Sequence, residues 1–348
     1  MEQAVMHELR KVAGHRPEGS RAASALRQAV ALAGLEGPLA TVRRQVELLA
    51  TEGPRPAAAV SRHLLGGGGK AVRPLLTLLC AQAVGGDAGQ ALSCATAAEL
   101  IHDATLLHDD VIDDGTERRG CPAARVIWGN TVSVLSGDLL FVAALRAAGE
   151  GPPGVQAELL DAVGTMVEGE VIQFRHRGRA DLDRATYEQI VLGKTAALFR
   201  WCGRAGARAG GGTSAQVDAL GRYGRHVGVA FQIRDDVLDL TGDAATLGKA
   251  IGADLAEGKL TLPVLLALEA QPELAAQLAS LGGGAQPSDR AATMAVVAAL
   301  RETGAIVAAQ ERVRRELQAA LGALQSLEPS PALMALSAVT EVIGSRDH

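Results

Sequence analysis

A chain of 348 residues with 48% hydrophobic and 21% charged residues is large enough to bury a full core and too apolar to be disordered. A net charge of −5 with no basic stripe excludes a nucleic-acid surface built on charge. Aromatic residues make up only 2%, so the core rests on Leu, Val, Ile and Ala, and Ala and Leu favour an all-α fold.

In chain order, residues 1–35 are polar and Ala-rich with breakers at Gly14, Pro17 and Gly19, and read as a weakly ordered or separately packed extension. From Pro38 onward the pattern is helical. Breaks fall at Gly66–Gly69, Gly85–Asp87, Gly149–Gly154, Gly210–Gly212 and Gly282–Pro287, leaving segments long enough for helices of three or more turns. Leu100, Ile101, Ala104, Leu107 and Val111 fall on one helical face, and Val227, Ala230, Phe231 and Leu238 belong to a second apolar helix. No clean period-two alternation marks a strand, and no repeat marks a solenoid. One α-helical domain is expected over 36–348. Cys80, Cys94, Cys121 and Cys202 lack metal-type spacing and read as reduced, mostly buried thiols. The N-terminus has no apolar h-region and no run reaches about 18 apolar residues, so a cytoplasmic protein without a transmembrane segment is expected.

Two acidic clusters stand out. Asp109-Asp110-Val111-Ile112-Asp113 and Asp235-Asp236-Val237-Leu238-Asp239 both read D-D-x-x-D. On a helix, Asp109 with Asp113 and Asp235 with Asp239 share a face, where like charges repel. Leu107, Val111, Ile112, Val237 and Leu238 crowd these acids with apolar groups, so a plain solvated face does not account for them. Carboxylates in such surroundings need a compensating partner. Mg²⁺, which takes few carboxylates plus phosphate oxygens, supplies one. The clusters are expected to face each other across one metal–diphosphate pocket. Candidate cations for the diphosphate are Lys70 and Arg73 after the glycine turn, Arg118 and Arg119 after the first cluster, and Lys194, Lys249 and Lys259 around the second. The glycine turn is not a Walker loop, which needs G-x-x-x-x-G-K-[ST].

The stretches GGKAVRPLL, ELIHDATLLHDDVIDDGTERRG, SVLSGDLLF, VEGEVIQF, LGKTAALF, VAFQIRDDVLDLTGD and GKAIGADLAEGKLTLPVLLAL occur in order between residues 66 and 267, and together they resemble the trans-polyprenyl diphosphate synthases. The stretch TGAIVAAQERVRRELQAAL looks like that family's C-terminal helix. The resemblance implies mostly antiparallel helices around a deep central pocket, and a homodimer. It implies that Asp109, Asp110 and Asp113 hold Mg²⁺ with the allylic diphosphate, and that Asp235, with Asp236 and Asp239 nearby, holds a further Mg²⁺; three ions are expected once substrate is bound. Arg118, Lys194, Lys249 and Lys259 would contact the allylic diphosphate. Lys70, Arg73, His102 and Arg119 would contact isopentenyl diphosphate. Thr195 and Gln232 match positions near the reacting carbon. The family often has a second basic residue after the GGK lysine, where this chain has Ala71.

The implied reaction is head-to-tail condensation of isopentenyl diphosphate with an allylic diphosphate primer. Thr105 lies one turn before Asp109 and Ile101 one turn further, each turn being about 5.4 Å. In the family, bulky aromatic residues four or five positions before the first aspartate shorten the product, and here those positions are Thr105 and Ala104. With small residues there, a long product of roughly C30 to C50 is expected; a short product of about C15–C20 is the alternative. A class I terpene cyclase fits less well, because two Trp, two Tyr and four Phe leave little for a cation-stabilising cage. A non-catalytic partner subunit also fits less well, because both acidic motifs are complete.

Overall fold

The structure is a computed structural model that describes residues 27–28, 30–68, 71–179, 181–242, 251–280 and 290–344. Lys70, Lys249 and residues 1–26 of the N-terminal extension lie outside the described residues. The chain divides by its own packing into two units. One takes in described residues from 1–156, 205–213 and 329–336, and the other takes in those from 157–204, 214–328 and 337–348.

The first unit carries α1 (Glu36–Thr51), α2 (Arg55–Gly66), α3 (Val72–Ala83), α4 (Leu92–Ile112), strands β1 (Glu117–Arg118) and β2 (Cys121–Pro122), and α5 (Ala124–Gly149). Leu100, Ile101, Ala104 and Leu107 are fully buried, as their spacing on one face of α4 predicts. α4 packs chiefly along α5. The close approach at their acidic end depends on Gly137, where a Cβ would sit 2.3 Å from the His108 ring.

The antiparallel pair β1–β2 corrects the expectation of no strands. Each strand has two residues, too few to show alternation. The turn between them, Arg119-Gly120, has positive φ at both residues (55° and 76°), as a tight primed hairpin turn requires. Among the described residues α5, which kinks at Gly129 (φ 81°), passes a length-and-composition test for crossing a membrane, a test that a buried core helix also passes. Ser133, Ser136, Gly137 and Asp138 interrupt its apolar run, whereas mean hydropathy averages over them. The helix packs along α4, and an exposed apolar stripe of Leu135, Leu139 and Val142 recurs at i, i+4, i+7.

The second unit carries α6 (Val155–His176, its first two residues belonging to the first unit), α7 (Arg184–Val191), a single π turn (Leu192–Ala196), α8 (Ala197–Ala209, whose last turns belong to the first unit), α9 (Ser214–Thr241) and the short α10 (Ala253–Ala256). Then follow α11 (Leu262–Ala270), α12 (Leu274–Ser280), α13 (Arg290–Glu302), α14 (Ala305–Leu324) and α15 (Pro331–Gly344), the last shared between the units. Val227 and Ala230 are fully buried on α9, which packs along α14. Apart from the hairpin, every element described is helical, so the fold is all-α. Cys80, Cys94 and Cys202 are buried thiols and Cys121 a half-buried one.

Candidate active site

In the first unit, α4 ends at the first acidic cluster. The amide of Asp113 caps the helix by donating to the Asp109 carbonyl (2.8 Å), so these half-buried acids stand one turn apart. Asp110 is only 4% exposed and is gripped by Arg118, whose Nε donates to both carboxylate oxygens (2.8 and 3.0 Å) while Nη2 lies 2.7 Å from Oδ1. Such a fork is the strongest arrangement available to an arginine and a carboxylate. The structure thus pairs a residue expected on the metal with one expected on the diphosphate. The His108 ring lies 3.1 Å from the Val134 carbonyl and 3.4 Å from Asp138, tying the cluster to α5.

The hairpin carries Arg118 back onto Asp110 and sends Arg119 to the carbonyl of Gly68 in the glycine turn. Two segments 51 positions apart therefore meet. Ala71, in left-handed conformation (φ 44°), opens α3, whose first turn holds Arg73. Arg73 and Arg119 act on the face of α4 that bears Glu99, His102 and Asp103. Burial first, then the charges of Arg73, Arg119 and Arg118, push the His102 imidazole well below its usual range, so it is neutral at pH 7. Burial holds the Glu99 carboxyl up against the pull of Arg73, Arg119 and Arg43. Burial and the neighbouring Glu99 hold Asp103 well above the carboxylate range. Arg73, Arg119 and Arg118 thus act on a buried patch that also holds two acids, and guanidinium groups are suited to a diphosphate.

In the second unit, Lys194, Thr195, Gln232, Asp236 and Lys259 line one pocket of about 100 Å³ together with Tyr187 and Asp254. Lys194 and Thr195 sit on the π turn, a feature that recurs at functional sites. The turn lies against α6 because both contact positions are glycines. A Cβ on Gly169 would meet the Lys194 amide nitrogen at 2.8 Å, and one on Gly193 would meet the Thr165 carbonyl at 2.8 Å. Lys194 Nζ lies 2.6 Å from Glu170. A chain of hydrogen bonds crosses the pocket: Thr195 Oγ1 donates to Gln232 Oε1 (2.6 Å), Gln232 Nε2 to Asp236 Oδ1 (2.9 Å), and the Tyr187 hydroxyl to Asp236 Oδ2 (2.5 Å). Asp236 is 2% exposed; burial, with Asp254 and Asp235 nearby, pushes its carboxyl up to about 7 against the hydrogen bonds from Tyr187 and Gln232. Lys259 follows α10, where Arg177 Nε donates to the Glu257 carbonyl (2.7 Å) and the Gly178 amide to the Gly258 carbonyl (2.8 Å). Asp235 is half-buried and Asp239 is 1% exposed, with the Asp254 amide on its Oδ2 at 3.3 Å.

Asp110 takes Arg118 and Asp236 takes Gln232 and Tyr187, while the i, i+4 pairs Asp109/Asp113 and Asp235/Asp239 each set two carboxylates one helical turn apart. Among the described residues, no three His, Cys, Asp or Glu side chains gather into a closed cage. Two carboxylates per cluster with the remaining positions left to phosphate oxygens and water is the donor set that Mg²⁺ takes with nucleotide-like substrates, and the residues fit it. Of the chain-length candidates, Ile101 and Ala104 are fully buried, and half-buried Thr105 donates its hydroxyl to the His102 carbonyl (2.8 Å). Sequence reasoning missed Tyr187, Glu99 and Asp103. A signal for Tyr187 existed: a chain with two tyrosines buries both, and each hydroxyl finds a partner, Tyr223 on Thr340 at 3.0 Å.

Residues 55–300 match the polyprenyl synthetase family. A short chain isoprenyl diphosphate synthase of Methanothermobacter thermautotrophicus is 37% identical over 85% of this chain and 92% of its own. An octaprenyl diphosphate synthase of Haemophilus influenzae is 36% identical over 82% and 87%. A crystal structure of a polyprenyl synthase from Caulobacter crescentus, complexed with calcium and isoprenyl diphosphate, has a TM-score of 0.88 and 34% identity, covering 96% of this chain and 100% of that one. The chain that brings Lys194, Thr195, Gln232 and Lys259 to one pocket belongs to the polyprenyl synthetase family, prenyltransferases that make polyprenyl diphosphates.

Proposed function

We propose that this prenyltransferase condenses isopentenyl diphosphate head-to-tail with an allylic diphosphate, using Mg²⁺ held by Asp109, Asp113, Asp235 and Asp239, to give a long product of roughly C30 to C50. The observation that carries the reading is the pocket in which Lys194, Lys259, Thr195 and Gln232 converge. Bound Mg²⁺ supplies positive charge to the departing diphosphate. Lys194 and Lys259 add to that charge, and Lys249 is assigned the same role. As the allylic C–O bond breaks, its electron pair leaves with the diphosphate. The oxygen dipoles of Thr195 and Gln232, fixed by their mutual hydrogen bond, face the allylic cation. Arg73, Arg119 and neutral His102, with Lys70, hold the second diphosphate. The double bond of isopentenyl diphosphate forms the new C–C bond, and the proton lost in the next step passes to the released diphosphate. Buried walls exclude water that would quench the cation.

The exposed apolar stripe Leu135, Leu139 and Val142 of α5 supports a second copy as its cover, so the mass in solution should be twice 35.8 kDa. The reaction is tested by incubating the purified chain with Mg²⁺, isopentenyl diphosphate and geranyl or farnesyl diphosphate, and chromatographing the product. A linear product longer than C20 supports the whole reading. A product that stops at C15–C20 refutes the length, a cyclic hydrocarbon makes the chain a cyclase, and no product from the chain alone makes it a subunit.

A further inference from the structure

A second cavity, of about 480 Å³, opens in the same unit among α7, α9, α11 and α14. Its size is that of small-molecule pockets, commonly about 300–1,000 Å³, and none of the proposed chemistry uses it. The floor is apolar: Val191, Val229, Ile233 and Leu262 are buried there, with Leu266 beside them. The rim is basic, with Arg184, Arg225, Arg312 and Arg315 against Glu188 and Glu316. Arg312 occupies both acids, with Nη1 2.9 Å from Glu188 Oε1 and Nε 2.9 Å from Glu316 Oε1, and His226 takes the other Glu316 oxygen at 2.7 Å. The net positive charge of the rim therefore falls to the other three arginines. Arg184 has Glu269 at 2.8 Å and Arg315 has Glu311 at 4.0 Å, but all four of these side chains are exposed, and such pairs yield readily to a better anion.

The cavity shares a wall with the pocket of the second acidic motif. Tyr187 and Val191 line both, and the Tyr187 hydroxyl bonds Asp236. An occupant of the outer cavity thus presses on the ring whose hydroxyl orients the carboxylate that holds Gln232.

We propose that this cavity is a regulatory site for a phosphate-headed apolar chain, the head on the arginine rim and the tail on the aliphatic floor, acting on turnover through Tyr187. Guanidinium groups recognise phosphate in a planar, two-pronged way, and the floor offers a tail what water does not. A prenyl diphosphate has this chemistry, and so has a single-chain lipid phosphate. The effect on turnover and the choice between these natural ligands rest on the prenyltransferase reading, whereas binding in the cavity does not.

The probe is dodecyl phosphate below its micelle concentration, which cannot enter the reaction. Equilibrium dialysis should show saturable binding to the wild-type protein, and binding should weaken about tenfold or more in the double variant Arg225→Glu/Arg315→Glu, the loss expected for charge-assisted contacts. Initial rates should show inhibition that lowers kcat and is not relieved by excess allylic substrate, while the double variant keeps the wild-type rate without probe and loses the inhibition. Tyr187→Phe should still bind the probe but respond to it less. Dodecanol and inorganic diphosphate, each supplying half of the chemistry, should not reproduce the effect. Farnesyl monophosphate tighter than dodecyl phosphate identifies the prenyl source, and the reverse order the lipid source. No binding, binding unaltered by the charge reversal, or inhibition purely competitive with allylic substrate overturns the proposal. Dialysis needs no turnover, so a chain inactive as a synthase would still report on the cavity.

Discussion

Replacing Gly169 with Ala should damage catalysis far more than stability. A Cβ at this position would lie 2.8 Å from the Lys194 amide nitrogen and 3.1 Å from Gly193 Cα, both backbone atoms that cannot rotate away. Comfortable non-bonded contact is about 3.5–4.0 Å, so the π turn must retreat from α6 by roughly 0.7 Å or more. That turn carries Lys194 and Thr195, and a misplacement of about 1 Å in a catalytic group can cost about 100-fold. The thermodynamic effects oppose each other: overpacking costs about 1–3 kcal/mol, while Ala in place of Gly inside a helix returns about 1 kcal/mol. The net destabilisation should therefore be about 0–2 kcal/mol. Gly164 on the same helix is the control, because a Cβ there meets nothing within 4 Å. Gly164→Ala should raise stability by up to about 1 kcal/mol and leave turnover alone. The assay is steady-state kinetics alongside thermal or urea unfolding of all three proteins. A Gly169→Ala enzyme with wild-type kcat would refute the reasoning, as would one whose loss of activity only follows loss of folded protein.

Asp109→Ala and Asp235→Ala should each cut turnover by orders of magnitude, since one contact that stabilises developing charge is worth about 3–4 kcal/mol. Circular dichroism should show both variants folded, and near-normal rates in either would remove it from the metal set. Ala104→Phe should shorten the products toward about C15–C20, with about 1–3 kcal/mol of overpacking because Ala104 is fully buried; an unchanged product ladder disposes of the length argument. Glu316 gives a pH prediction. Burial raises its carboxyl, but hydrogen bonds from His226 and Arg312 outweigh that and leave it below its usual value. Its ionised form therefore contributes stability that is complete above about pH 4.3 and fades as the pH falls through the lowered value. The stability gap between wild type and Glu316→Gln should shrink on acidification below that point, and a constant gap from pH 7 to pH 3 would contradict the assignment.

What the sequence determined by itself was local and periodic. The spacing of Leu100, Ile101, Ala104 and Leu107 identified the buried face of α4, because a helix repeats every 3.6 residues whatever it packs against. The two D-D-x-x-D clusters placed Asp109 with Asp113 and Asp235 with Asp239 on helical faces for the same reason. The residues around them, read together, were also enough to reach the family. Tertiary structure decided which acid meets which base. Asp110 and Arg118 are eight residues apart, yet their bond depends on a hairpin of two-residue strands that carries no periodic signal. Tyr187 reaches Asp236 across 49 positions, and Glu170 reaches Lys194 only because Gly169 and Gly193 let two backbones touch. The scarcity of tyrosine points to burial of Tyr187, but the partner in each contact is set by the fold. Periodicity reports which side of an element is buried; only the folded chain sets which polar groups share that burial.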